Sequence, residues 1–115
     1  MKITDITVER FQTTGRTVAD AEGHGHPAPE PYTTTSSVTR IHTDEGVEGI
    51  CLGGQAAVID NVVKPLLVGR DPFFREAIWQ AMNERQRLHK GTLSDRALAT
   101  VDMALWDLAG RALNV

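Results

Sequence analysis

VDMALWDLAG, residues 101–110, carries more apolar surface than one face of a helix needs to bury. Its spacing predicts the middle of a helix that runs from about residue 94 to 113. One apolar stripe comprises Ala97, Val101, Ala104, Leu105, Leu108 and Ala112, and it is widened by Leu98, Met103, Trp106 and Ala109. We expect Trp106 to remain exposed, because an exposed large aromatic side chain usually marks a contact with another surface.

Size and composition indicate one soluble domain. The chain has 115 residues, of which 41% are apolar and 23% charged, and its net charge is −3. This charge and the short basic run at 85–90 argue against nucleic acid as a partner. The single cysteine, Cys51, excludes an internal disulfide and is interpreted as a small buried side chain in a reducing compartment. With neither a signal-like start nor a membrane-length apolar run, we expect a cytoplasmic location.

The N-terminal half has the pattern of a three-stranded antiparallel meander. Alternation predicts a strand over residues 2–13. Residues 15–31, with three glycines and three prolines, predict a loop of about 17 residues. A second strand from Thr33 is joined by the turn 44–46 to VEGICLGG, residues 47–54, which completes a hairpin.

The C-terminal half has the pattern of about three helices. Residues 55–64 predict a short helix that Pro65 ends or bends. Asp71 followed by Pro72 is typical of a helix start, and this second helix extends to about Leu88. Its apolar face comprises Phe74, Ile78, Ala81 and Met82, with Trp79 beside them. Gly91 interrupts, and the last helix is capped by either Thr92 or Ser94. The fold class is therefore α+β.

The sequence predicts no catalytic and no metal-binding residue in this chain. The acidic residues are scattered over turns and helix surfaces, and neither a Ser/His/Asp arrangement nor a phosphate loop is present. Asp102 and Asp107, five apart, lie on different helix faces, whereas Asp107 and Arg111, four apart, predict an ion pair. The His24-x-His26 pair in the long loop is interpreted as two solvated histidines in preference to a metal pair, since further ligands are missing nearby.

The segment 97–110 resembles the signature helix of the mandelate racemase/muconate lactonizing enzyme family, within the enolase superfamily. The order of an opening strand, a glycine- and proline-rich loop, DEGVEG at 44–49 and DPFFREAIWQAM at 71–82 is similar as well. The resemblance covers essentially the whole chain. Thr100 departs from the family pattern, which usually has a smaller side chain there.

This resemblance implies that residues 1–115 are an N-terminal capping domain, with 15–33 as a first capping loop and 53–55 as a second. In the family a (β/α)₈ barrel, absent from this chain, supplies lysine and histidine acid/base groups and three carboxylates that bind Mg²⁺. The reaction is abstraction of a proton α to a carboxylate. The parent protein would be a lyase or an isomerase acting on a small carboxylic acid, and the chain alone would be inactive.

The resemblance also suggests substrate contacts. The long loop would place His24, His26 and Tyr32 at the distal end of the substrate. Glycines 53 and 54 let a ligand approach the backbone, and Gln55 could bind a hydroxyl, although an ordinary strand-to-helix corner explains them equally well. The polar loop, which also contains Glu22 and Glu30, favours a hydroxylated acid. An acid-sugar dehydratase is therefore the first choice and a racemase or epimerase the second.

The surplus apolar surface of helix 94–113 needs a partner. The resemblance implies a missing C-terminal barrel, and a second subunit of a homo-oligomer is the other candidate. The alternative to an enzyme domain is a stand-alone interaction or dimerisation module without catalysis.

Overall fold

The computed structural model describes residues 1–15, 21–22 and 31–115, so the predictions for His24, His26 and Glu30 lie outside the described residues. Three strands form one antiparallel sheet in the order β1 (Ile3–Gly15), β2 (Tyr32–Thr43), β3 (Glu48–Leu52). The predicted meander is confirmed, and β1 extends two residues beyond the predicted end.

The turn between β2 and β3 follows the predicted chemistry. Gly46 adopts a φ of 76°, a left-handed conformation that favours glycine. The hydroxyl of Thr43 donates to the carbonyl of Val47 at 2.6 Å and closes the turn. The hairpin therefore depends on local interactions that the sequence encodes directly.

One face of the sheet forms the core together with the helices. Ile6 pairs with Ile41, which pairs in turn with Gly49 on β3. A Cβ on Gly49 would collide with the carbonyl oxygen of Ala104 and lie 2.6 Å from the Cβ of Leu108. The missing side chain of Gly49 thus allows the last helix to lie directly on the third strand.

The first helical segment runs from Ala56 to Leu67 as α1 (Ala56–Val58), a π-helical turn (Ile59–Val63) and α2 (Lys64–Leu67). Of the two predicted effects of Pro65, ending the helix is wrong, because the helical winding continues to Leu67. Proline lacks an N–H and its ring clashes with the carbonyl four residues earlier in a regular α-helix. The N–H of Lys64 reaches back to the carbonyl of Ile59, five residues away, and this wider winding admits Pro65.

Helix α3 (Arg75–Leu88) begins later than predicted. Asp71 does not cap it; a carboxylate oxygen of Asp71 accepts the N–H of Phe73 at 2.9 Å, and its carbonyl accepts the N–H of Phe74. Asp71 therefore stabilises a turn that precedes the helix. Phe74 has a non-helical ψ of 57° and is 68% exposed, whereas Ile78 and Met82 are buried as predicted.

Helix α4 (Asp95–Leu113) matches the predicted span, and Ser94 caps it by accepting the N–H of Ala97 at 3.1 Å. Its buried residues are Leu98, Thr100, Val101, Ala104, Leu105, Leu108 and Ala109. Met103 and Trp106 are 61% and 59% exposed, which confirms the predicted uncovered side. Leu98 and Ala109, predicted to widen the apolar surface, belong to the buried face because α4 lies so close to the sheet.

Candidate functional site

The chain leaves β3 through a tight corner at Gly53 and Gly54, whose φ angles are 106° and 110°. The hydroxyl of Thr39 donates to the carbonyl of Gly53 at 2.8 Å, and that of Ser37 donates to the carbonyl of Gly54 at 2.8 Å. A Cβ on Gly54 would collide with the Thr39 hydroxyl. The corner itself thus requires both glycines, as the strand-to-helix interpretation predicts.

Gln55 follows this corner at the start of α1, where it is exposed and makes no side-chain capping hydrogen bond. It borders a cavity of about 340 Å³, which we call the corner groove. The groove lies between the middle of β1, the first half of β2 and the first residues of α1. It is lined by Val8, Arg10, Thr35, Ser36, Ser37, Gly54, Gln55, Ala56 and Ala57.

The polar groups of the corner groove are mostly unengaged. Among the described residues, no hydrogen bond or ion pair occupies the side chains of Arg10, Thr35 or Gln55. Ser37 uses its proton on the corner but keeps oxygen lone pairs free to accept. The groove can therefore offer a guanidinium, hydroxyls and an amide to a polar ligand.

Arg10 was missed by the sequence analysis, although a signal existed. Side chains two apart on a strand share a face, so Arg10 follows Ile6 and Val8 on the core side of β1. Arg10 is a charged residue on a strand face that is apolar up to Val8. This change from apolar to charged could have marked it as a candidate.

Tyr32 lies at the far end of the β1–β2 ribbon, opposite Gly15, and is 45% exposed. Its ring lies over Gly15, since a Cβ there would be 2.8 Å from the Tyr32 hydroxyl oxygen. By strand alternation it faces away from Thr35 and Ser37, and Ser37 is roughly 16 Å further along the strand. The structure does not bring Tyr32 and Gln55 into one groove.

A second cavity, of about 580 Å³, lies on the other side of the corner. It includes Arg96 and Thr100 from α4 and the apolar side chains of Phe11 and Leu52. A Cβ on Gly53 would be 3.4 Å from the hydroxyl oxygen of Thr100. The bare backbone of Gly53 thus leaves room for the side chain of Thr100.

The exposed side of α4 joins α3 to form an aromatic face, defined by Phe73, Phe74, Trp79 and Trp106, around a cavity of about 580 Å³. The guanidinium of Arg75 stacks on the Trp106 ring at 3.9 Å from its centroid. The Arg75 Nε is buried without a hydrogen-bond partner. This face is apolar at its centre and carries a cation whose hydrogen-bonding capacity is not fully used.

Asp107 faces β3, whereas Asp102 lines the aromatic cavity, so the two carboxylates lie on different faces as predicted. The predicted ion pair with Arg111 is present at 2.8 Å. Asp107 also accepts the backbone N–H of Ile50 at 2.9 Å, a contact that helix spacing could not reveal. Burial, and secondly the Asp107 charge, raise the pKa of the half-buried Cys51 thiol.

Within residues 1–15, 21–22 and 31–115, no three histidine, cysteine or acidic side chains lie close enough together to hold a metal ion. In the same part of the chain, no helix is both long and apolar enough to cross a membrane.

Known proteins are similar to this chain in both sequence and fold. The chain is 40% identical over 84 residues to a D-galactonate dehydratase from Verminephrobacter eiseniae, which is 66% of this chain and 22% of that protein. It is 39% identical over 79 residues to a D-mannonate dehydratase from Novosphingobium aromaticivorans, 63% of this chain and 20% of that protein. The structure superposes on D-glucarate dehydratase from Agrobacterium tumefaciens, complexed with magnesium, with a TM-score of 0.84 and 41% identity.

That superposition covers 98% of this chain and 30% of the glucarate enzyme, so the chain spans about a fifth to a third of the proteins it matches. The sequence profile of the mandelate racemase/muconate lactonizing enzyme N-terminal domain matches residues 30–115. The chain therefore belongs to the mandelate racemase/muconate lactonizing enzyme family of the enolase superfamily, as an N-terminal domain.

Proposed function

We propose that this chain is the substrate-capping domain of a Mg²⁺-dependent enzyme that dehydrates a sugar acid, with a racemase or epimerase as the second choice. The relatives named above are dehydratases of D-galactonate, D-mannonate and D-glucarate. The observation that carries the proposal is the corner groove, because its polar groups suit a ligand bearing several hydroxyls.

The chemistry of the groove favours a sugar acid over an aromatic acid. Thr35 and Gln55 can each donate and accept, so a run of substrate hydroxyls would find partners in both roles. A volume of about 340 Å³ lies within the range of small-molecule sites. In this proposal His24 and His26 belong to a loop that closes over the distal end of the substrate and excludes water. Tyr32 is left out of this role, because it lies in β2 and faces away from the groove.

The reacting groups belong to the barrel in this proposal. The described residues do not fit a Mg²⁺ site, because they include no cluster of three suitable ligands. We therefore place the metal and the proton-abstracting groups in the barrel, where the metal would stabilise the enediolate. In this proposal the cap takes no part in the metal chemistry. The part assigned to this chain is to bind and enclose the substrate.

The aromatic face supplies a docking surface for that barrel. Trp106 and Phe74 are more than half exposed, and together with Phe73 and Trp79 they form one contiguous patch. The relatives are several times longer than this chain, so a large further domain is available to cover the patch. The alternative, a module that pairs with a second copy, uses the same face.

The test is to express the complete reading frame that contains this chain and to assay it with Mg²⁺ on D-glucarate, D-galactonate and D-mannonate. We expect formation of the corresponding 2-keto-3-deoxy acid by the complete protein, loss of activity with a chelator, and no turnover by residues 1–115 alone. Racemisation without dehydration would reverse the order of the two choices. A reading frame without a barrel, together with a stable dimer of this chain, would support the interaction module instead.

A further inference from the structure

We propose that Arg10 binds a second carboxylate of the substrate, so that the parent enzyme acts on a sugar acid with a carboxylate at each end. This inference rests on the proposed function and adds the class of acid to it. It assigns a role to a residue that neither the motifs nor the family pattern singled out.

Arg10 lies on the core face of the sheet without a counter-ion in the described structure. It pairs with Ser37 across β1 and β2, and its groove neighbours Thr35 and Gln55 are uncharged. The adjacent carboxylate, Glu9, faces the opposite side of the sheet and pairs with Arg40 at 3.2 Å. The Arg10 guanidinium, surrounded by neutral groups, could therefore bind an anionic group of a ligand.

The chemistry of arginine favours a carboxylate as that anion. The planar guanidinium presents parallel N–H groups that match the two oxygens of a carboxylate. In the proposed function the reacting carboxylate belongs to the barrel, so the group at Arg10 must be another one. A monoacid such as D-galactonate has none to offer.

The structural likeness points the same way. The likeness to the D-glucarate dehydratase runs over 98% of the chain and therefore includes nearly all of β1, where Arg10 lies. D-Glucarate carries a carboxylate at both ends.

Arg96, on the other side of the corner, provides an internal comparison. Its cavity shares Thr35, Ser36 and Ser37 with the corner groove, but it is also bordered by the apolar side chains of Phe11 and Leu52, which offer no hydrogen bonds to a hydroxylated ligand. We therefore assign the second carboxylate to Arg10 and expect Arg96 to contribute less.

The experiment compares D-glucarate with D-galactonate in the complete protein. We expect Arg10→Gln to lower kcat/KM for D-glucarate by about 10- to 100-fold, mainly through KM, and to lower it several-fold less for D-galactonate. Arg10→Lys keeps the charge but not the paired N–H groups and should lie between wild type and Arg10→Gln. Arg96→Gln should have a smaller effect, and Arg87→Gln, an exposed cation on α3, should leave activity unchanged.

A wild-type preference for the monoacid, or an equal loss on both acids in Arg10→Gln, would overturn the proposal. If the complete protein dehydrates no sugar acid, the proposed function fails, and a binding measurement then decides on Arg10 by itself. In ¹⁵N-labelled chain, D-glucarate should shift the Arg10 Nε–Hε resonance more than D-galactonate does. Equal shifts with the two acids, or none, would refute the assignment.

Discussion

Replacing Gly49 with alanine should destabilise the domain more than the same change at Gly46, the glycine of the β2–β3 turn. The φ of Gly49 is not left-handed, so the cost is steric. The new Cβ would overlap the carbonyl oxygen of Ala104 and lie 2.6 Å from the Cβ of Leu108, where ordinary contacts are 3.4–4 Å. Two of the three nearest atoms are backbone atoms of α4, so the helix has to move away from β3 by about 1 Å.

The magnitude follows from the packing that such a movement disturbs. A buried leucine makes about 50 contacts worth roughly 0.1–0.2 kcal/mol each, and a gap of up to 1 Å forfeits about a quarter to a half of that. Relaxation recovers part, so we expect a loss near the upper end of overpacking effects, about 3 kcal/mol. For a chain of this length the total free energy of unfolding is roughly 6–17 kcal/mol.

Urea unfolding followed by tryptophan fluorescence measures this loss. With a slope of about 1.5 kcal/mol per molar urea, the midpoint of Gly49→Ala should fall by about 2 M. The matched control is Gly46→Ala, where φ is 76° and no atom lies within 4 Å of the added Cβ. That change adds only backbone strain, about 1–2 kcal/mol. A midpoint for Gly49→Ala equal to or above that of Gly46→Ala would refute the close-contact argument.

Three further outcomes are expected. Asp107→Ala should cost about 2 kcal/mol in urea unfolding because it leaves a backbone N–H of β3 unpaired, whereas Asp102→Ala should cost much less. The pKa of Asp5 is lowered, chiefly by its hydrogen bond from Lys64, so its stabilisation is present above about pH 4 and is lost as the pH falls through the lower folded value. Asp5→Asn should therefore be less stable than wild type at pH 6 and approach it below pH 3; a constant difference would contradict this assignment. Trp106→Gln should weaken the concentration-dependent self-association of residues 1–115 in sedimentation velocity, and no change would argue against the aromatic face as a docking surface.

The parts of the fold that were predictable from sequence are those fixed by neighbouring residues. Strand alternation, the glycine of the 44–46 turn and the two candidate caps of α4 are short-range signals, and the structure matches the first two and selects Ser94 over Thr92 as the cap. The start of α3 was not predictable in this way, because an aspartate before a proline can cap either a helix or a turn. Pro72 is buried, and the hydrogen bonds of Asp71 form the turn.

The candidate site was only partly predictable for the same reason. Gln55 could be singled out because two glycines precede it in sequence. Strand alternation could have placed Arg10 on the core face of β1, but its position in the groove depends on Ser37 and Ala56, both distant along the chain.

The signature helix and the candidate groove are physically linked, which gives the apolar surplus of residues 101–110 a meaning beyond docking. Gly49 lets α4 reach β3, and this placement sets Thr100 against Gly53 at the corner. Hydroxyls from β2 then hold the corner carbonyls, and Gln55 follows them into the groove. A barrel that docked on Trp106 would therefore contact α4, the same helix that positions the groove. One rigid element would then set the distance between the reacting groups of the barrel and the part of the substrate that the cap binds.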